Sequence, residues 1–312
     1  MSTPVQQTTN LHTVGAGFWV RSSTPGAESD PSRLQANQIN PEIFESEAEV
    51  GRAQLEEIQR AASSKSGDLV IILLGGRGAQ AMYRLIGQMA ETPGLDTLLG
   101  RLHVFTQDAL APLRMSNGLS FVRDFERLLG DAFFRKVKSF TPIRTDTDNL
   151  EAELIRYTEK LESLGGIDLF FLGLGPESGG ASHLAYIKPG SGATSRDIAG
   201  VIPISPSILE HHIKKFKVGG STVTEADEAE CRAATHIMTL GPAAILGARR
   251  IVHSIVDADT APAKRESYRR VLDTELSEDS ARRAAQLDAN PGLWLRLHTN
   301  LRSLVLPDVM AV

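Results

Sequence analysis

Apolar positions along the chain alternate between two spacings. The continuous run Leu69-Val70-Ile71-Ile72-Leu73-Leu74 has the length and composition of a strand buried on both faces. The Gly75-Gly76-Arg77-Gly78 break follows it, and then Met82, Tyr83, Leu85, Ile86 and Met89 recur at helical spacing. This predicts a strand, a glycine turn and an amphipathic helix. Upstream, Asn40-Pro41-Glu42 reads as an N-cap, a first-turn proline and a helix-favouring acid, and Ile43, Phe44, Val50, Leu55 and Ile58 predict a first helix ending near Ser63.

The alternation continues with a strand over 102–105, helices near 119–129 and 149–164, and a strong strand over 168–174. A helix around 225–237, a strand over 250–256 and a last strand at 304–306 complete it. Such an order predicts an α/β fold with a doubly wound, mostly parallel sheet and helices on both faces. Ligands of open sheets sit beyond the carboxyl ends of the strands, which singles out residues 75–80, 106–112 and 173–192. Residues 1–38, rich in Ser, Thr, Gln, Pro and Asn, read as an extended or partly mobile arm carrying little of the core, and residues 39–312 as a single α/β domain.

Composition narrows the function. With 312 residues, 41% of them hydrophobic, the chain can bury a large core. Its formal charge of -5 comes from acidic and basic residues mixed along the whole length, with no one-sided basic footprint of the kind that grips a nucleic acid. No apolar run approaches the roughly 20 residues that span a bilayer, and no leader pattern opens the chain. The lone Cys231 offers neither an internal disulfide nor a thiolate cluster for metal, which fits a reducing compartment and points to the cytoplasm. No cofactor or metal site is expected, and neither nucleic acid nor membrane is expected as a partner.

Each strand-end segment carries one candidate chemistry. Gly75, Gly76, Arg77 and Gly78 put exposed backbone amides at a helix start, either as a tight turn needing positive φ or as a site for an anion. The segment matches neither the dinucleotide glycine pattern nor a nucleotide P-loop. Asp108, at the end of a strand, is either a capping residue or a general base. His183 follows the strongest strand in a loop of small residues, either as a structural imidazole or as a proton shuttle.

Taken together and in order, these segments resemble the glucosamine-6-phosphate deaminase family. The resemblance rests on Gly75-Gly76, Asp108, the Gly166 to Gly175 run, His183-Leu-Ala-Tyr-Ile-Lys-Pro-Gly-Ser191, Thr239-Leu240-Gly241 and Trp294-Leu-Arg-Leu-His298, and covers residues 40–308. It implies a Rossmann-like fold of the deaminase type, a sugar-phosphate ligand and a homo-oligomer. It further implies an isomerase or deaminase of amino-sugar phosphates, in which His183 assists ring opening, Asp108 moves a proton between neighbouring carbons and the turn from Gly75 to Gly78 holds phosphate. The 6-phosphogluconolactonases, hydrolases of the same superfamily, are the alternative. A catalytically inactive sugar-phosphate sensor or subunit is a third possibility.

The departures from the family pattern fall at chemically important places. Ala181 and Ser182 stand where an aspartate precedes the histidine, and Lys188 takes the place of a glutamate that would polarise it. Glu177, a few residues upstream, is the candidate replacement carboxylate. On the phosphate side, Arg77 offers a bidentate cation in the glycine turn, while His236 stands where a phosphate-binding lysine is expected. Arg196 and Lys264 are further cations, with a solvated surface role as the competing assignment. Gln107 competes with Asp108 for one position.

Overall fold

The computed structural model describes residues 11–15, 17–23 and 30–311. In chain order its strands are β1 (Leu11–Val14), β2 (Gly17–Arg21), β3 (Pro41–Ile43), β4 (Leu69–Leu73), β5 (Leu102–Thr106), β6 (Asp108–Ala111) and β7 (Ser139–Thr141). There follow β8 (Leu169–Leu172), β9 (Leu174–Pro176), β10 (Ser182–Leu184), β11 (Asp197–Pro203), β12 (His236–Leu240), β13 (Arg250–Ile255) and β14 (Leu301–Val305). The helices are α1 (Glu47–Ser64), α2 (Gln80–Ala90), α3 (Asp96–Leu99), α4 (Phe121–Lys136), α5 (Leu150–Ser163) and α6 (Pro206–Val218). After them come α7 (Glu225–Arg232), α8 (Pro242–Gly247), α9 (Ala263–Asp273), α10 (Ser280–Ala289) and α11 (Pro307–Met310).

Seven strands form one sheet in the order β3-β14-β13-β8-β4-β5-β7, and every neighbouring pair is parallel. It is the doubly wound sheet, flanked by helices, that the apolar pattern predicts. All residues of β4, β5 and β8 are buried, which is why β4 and β8 read as unbroken apolar runs. The chain winds outward from β4 through β5 to β7, then returns to the other side of β4 as β8. The crevice between β4 and β8 is therefore the topological switch point, where the loops leaving neighbouring strands diverge.

The pattern did not predict a second sheet, antiparallel and ordered β1-β2-β11-β12-β6. It includes part of the N-terminal arm, so the expectation that the arm stays out of the core is corrected for residues 11–14 and 17–21. Trp19 is fully buried and donates from Nε1 to the Ser191 carbonyl at 3.0 Å. Residues 1–10, 16 and 24–29 of the arm lie outside the described residues.

Two further expectations are corrected. Pro41 starts an edge strand and not a helix, because residues 41–43 pair with β14, at an edge where the missing proline N–H costs no ladder bond. Helix α1 starts later, capped by Ser46, whose side chain accepts from the Glu49 N–H. The helix expected over 225–237 stops at Arg232, and Ile237 lies in β12 between Leu110 and Ile202. No helix among the described residues is long and apolar enough to cross a membrane.

Candidate active site

The loops leaving β4, β5, β8 and β13 line a cleft at the switch point that is open to solvent on one side. Gly75 to Gly78 line it together with Asp108, His183, His211, Lys215, Asp257 and Lys264. Three stretches far apart in sequence thus meet at the carboxyl edge of the sheet.

The glycine turn forms the wall above β4. Gly76 has φ of 95°, a left-handed conformation that side chains rarely adopt, and a Cβ there would lie 3.4 Å from Cδ of Lys215. Arg77 reaches the cleft, but its guanidinium is already held by Glu47, by Thr260 Oγ1 at 3.2 Å and by Asp259 at 3.7 Å.

Asp108 stands where the chain crosses from one sheet to the other. β5 ends at Thr106, Gln107 is the joint, and Asp108 opens β6 paired with Thr239. Only 3% of the residue is exposed, and its Oδ1 has no hydrogen-bond partner, nor does Oε1 of Gln107. Burial pushes the Asp108 carboxyl up to about 7, against the opposing pull of the Lys215 charge. A buried carboxyl with one oxygen left without a partner, exchanging its proton near neutrality, is rare in a core and common where protons are moved.

His183 is placed by a hairpin. After β8 the chain turns at Gly173 and runs back on itself as β9 and β10, closed by a hydrogen bond from the Glu177 N–H to the Ala181 carbonyl at 2.8 Å. Gly175 lies opposite His183, and a Cβ on it would fall 2.0 Å from the imidazole Nε2, so only glycine admits the ring. The imidazole Nδ1 meets Glu177 Oε1 at 3.1 Å, and Glu177 Oε2 accepts from Ser207 Oγ at 2.6 Å. Burial holds the His183 pKa below its ordinary value, against Glu177, so the ring is neutral near pH 7. Burial acts to raise the Glu177 carboxyl, yet the hydrogen bonds from His183 and Ser207 keep it below the usual carboxylate range. Behind the histidine, Ala185 and Tyr186 both adopt positive φ, backbone strain of a kind that collects at functional sites.

Helix α6 roofs the cleft. Ser205 caps it and Pro206 starts it, and Ser207, His211 and Lys215 recur every four residues, so all three project from one face. His211 packs 6.2 Å from the His183 ring, and burial together with Lys264 and Lys215 keeps it neutral. Across the cleft, Lys264 is 8% exposed and its Nζ donates to both oxygens of Asp257, at 2.7 and 2.8 Å.

Of the sequence candidates, the structure brings Gly75, Gly76, Arg77, Gly78, Asp108 and His183 to the cleft, with Glu177 behind the imidazole. It does not bring three others there. His236 is at the far end of β12, paired with Ala111, because the strand runs antiparallel to β6 and carries residue 236 away from Asp108. Arg196 is exposed in the turn before β11, and Lys188 lies in the turn after Ile187, acting on Glu177 only through its charge. Lys264 is the reverse correction, a buried cleft residue and not a solvated cation. Sequence reasoning missed His211, Lys215 and Asp257. The four-residue recurrence from Ser207, after the Ser205-Pro206 helix start, was the available signal for the first two. Among the described residues no group of three or more His, Cys, Asp or Glu is placed to hold a metal ion.

No family model matches the chain. It is similar to glucosamine-6-phosphate deaminase 1 of Bacillus subtilis, 25% identical over 76% of this chain and 85% of that protein. Among solved structures, a monomeric glucosamine-6-phosphate deaminase superposes with a TM-score of 0.63 at 21% identity, covering 87% of this chain and 98% of the other. The 6-phosphogluconolactonase of Thermotoga maritima superposes with a TM-score of 0.56 at 15% identity, over 86% and 99%.

Proposed function

We propose that the chain, similar in sequence to glucosamine-6-phosphate deaminases and in fold to these and to 6-phosphogluconolactonases, belongs to their family and is an enzyme that moves a proton between adjacent carbons of an amino-sugar phosphate or related sugar phosphate. The observation that carries this reading is the presence, in one cleft, of the buried carboxyl of Asp108, whose Oδ1 has no hydrogen-bond partner, and the Glu177-supported imidazole of His183.

In this reading the phosphate lies against the amides of Gly75 to Gly78, with the positive charges of Arg77 and Lys264 nearby. Neutral His183 donates its Nδ1 proton to Glu177, which leaves Nε2 as the acceptor for the anomeric hydroxyl proton during ring opening. Glu177 then stabilises the imidazolium formed, the service that a carboxylate beside the histidine would otherwise provide. Asp108 takes the C2 proton of the open-chain sugar and returns it to C1. Where C2 bears an amino group the product is an imine, and water replaces its nitrogen as ammonia leaves. The buried single Cys231 fits a cytoplasmic setting.

A second reading, hydrolysis of a sugar-acid lactone, draws on the same pair, because a neutral imidazole oriented by a carboxylate can equally activate a water. Amino-sugar phosphates, hexose phosphates and 6-phosphogluconolactone, scored for ammonia, isomerised product and hydrolysed lactone, separate the two. The proposal expects ammonia or isomerised product, lost in Asp108→Asn and in His183→Ala. Lactone hydrolysis that survives Asp108→Asn would replace it with the second reading, and ligand stabilisation without any turnover would make the protein a sensor.

A further inference from the structure

We propose that Lys215 is a further catalytic residue, whose ammonium stabilises the negative charge that develops on the substrate's C1 oxygen. The assignment rests on the reading above only in taking C1 as the reacting carbon, which isomerisation, deamination and lactone opening share.

Three cations line the cleft, and two of them are already engaged. Arg77 is held by Glu47, Thr260 and Asp259, and Lys264 donates to both oxygens of Asp257. Lys215 has no hydrogen bond or ion pair among the described residues; its Nζ is set instead between two aromatic rings, 4.8 Å from the centre of Phe121 and 4.7 Å from that of Tyr186. The Tyr186 ring in turn packs 5.2 Å from the His183 ring. The amine is therefore held on the side of the cleft where the imidazole stands, and its charge acts on Asp108 across the cavity. Aromatic faces fix an ammonium without neutralising it, so its charge is left available to a ligand.

Proton transfer from C2 to Asp108 leaves an enediolate whose charge rests on oxygen, and water attack on a lactone leaves a tetrahedral oxyanion at the same atom. A positioned cation in a partly enclosed cleft favours either species over the uncharged ground state. No bond to the lysine forms: the C2 proton passes through Asp108 to C1, and the amine keeps its own protons. Burial pulls the Lys215 pKa down to about 8 against the attraction of Asp108, which leaves most of the amine charged at neutral pH.

The competing occupant is phosphate, because Nζ of Lys215 is also 3.5 Å from the position of a Cβ on Gly76. Two probes separate the roles, 6-phosphogluconate, with an anionic group at C1, and glucitol 6-phosphate, with a neutral hydroxymethyl there. By calorimetry, the full-length protein binds the first at least about tenfold more tightly. Lys215→Met brings that ratio close to one and leaves the affinity for glucitol 6-phosphate within about threefold, while Lys215→Arg keeps part of the preference. In turnover, Lys215→Met lowers kcat by about 10²–10³ with KM little changed. Thermal unfolding of each variant shows that the fold is retained. Equal weakening of both ligands would make Lys215 a phosphate clamp and overturn the assignment, as would an absent preference in the unmodified protein or binding of neither probe. If the preference and its loss are found while no substrate is turned over, the proton-transfer reading fails and the placement of Lys215 opposite C1 stands.

Discussion

Nδ1 of His183 and Oε1 of Glu177 lie 3.1 Å apart, although six residues and a hairpin turn separate them in the chain. The lysine that stands in place of a polarising glutamate, Lys188, leaves no gap, because the carboxylate arrives from the opposite strand of the hairpin. Glu177→Gln keeps the shape but removes the charge that, in the proposed reaction, fixes the tautomer and stabilises the imidazolium. The expected result is a fall in kcat of about 10²-fold with KM nearly unchanged, measured by steady-state kinetics. Ser207→Ala, which frees the outer oxygen of Glu177, gives a smaller fall in the same direction.

Asp108 ties activity to pH in a definite sense. In the proposed reaction its basic form accepts the C2 proton, so kcat/KM is expected to rise with pH through the neighbourhood of 7. Stability moves the other way. A carboxyl with a raised folded-state pKa stabilises the protein below the ordinary carboxylate range, and that contribution is lost as pH rises through about 7. Asp108→Asn therefore melts about 3–5 °C above the unmodified protein at pH 8 and close to it at pH 4, as calorimetric scans at the two pH values would show.

Gly175 tests the hairpin without replacing a titratable group. A Cβ at this position would meet the His183 ring at 2.0 Å, so Gly175→Ala must displace the imidazole or the backbone opposite it. Activity is expected to fall by at least about 10²-fold while the cost in stability stays near 1–3 kcal/mol, from kinetics and chemical denaturation on one preparation.

Trp19 tests whether the N-terminal hairpin is part of the folded core. The side chain is fully buried and hydrogen-bonded to the loop that follows Gly190. Trp19→Ala is expected to cost about 3–5 kcal/mol in denaturant unfolding. A cost below about 1 kcal/mol would place the hairpin outside the cooperative unit.

What the sequence reveals follows the strength of each physical signal. β4 and β8 are legible because strands buried on both faces need unbroken apolar runs, and the glycine turn is legible because its backbone excludes side chains. The antiparallel sheet is not, because its strands are short and β6 follows β5 after a single residue, so the two read as one segment. Asp108 and His183 stand out as polar residues in segments that follow strands, and Glu177 only through the family resemblance. Lys264 reads as a solvated cation and His236 as a site residue, and the structure reverses both: Lys264 is buried against Asp257, seven residues upstream in the loop before α9, and β12 carries His236 away from the cleft. Lys215 was hidden among similar residues: of the lysines at 214, 215 and 217, the first and last are exposed and only Lys215 lines the cleft.

The four-residue interval along α6 has an evolutionary corollary. Ser207, His211 and Lys215 all belong to one rod of thirteen residues, while the strands beneath it supply Asp108, the glycine turn and the imidazole. Substitutions confined to a single exon-sized piece of chain can therefore exchange the chemistry overhead and leave the sheet as it is.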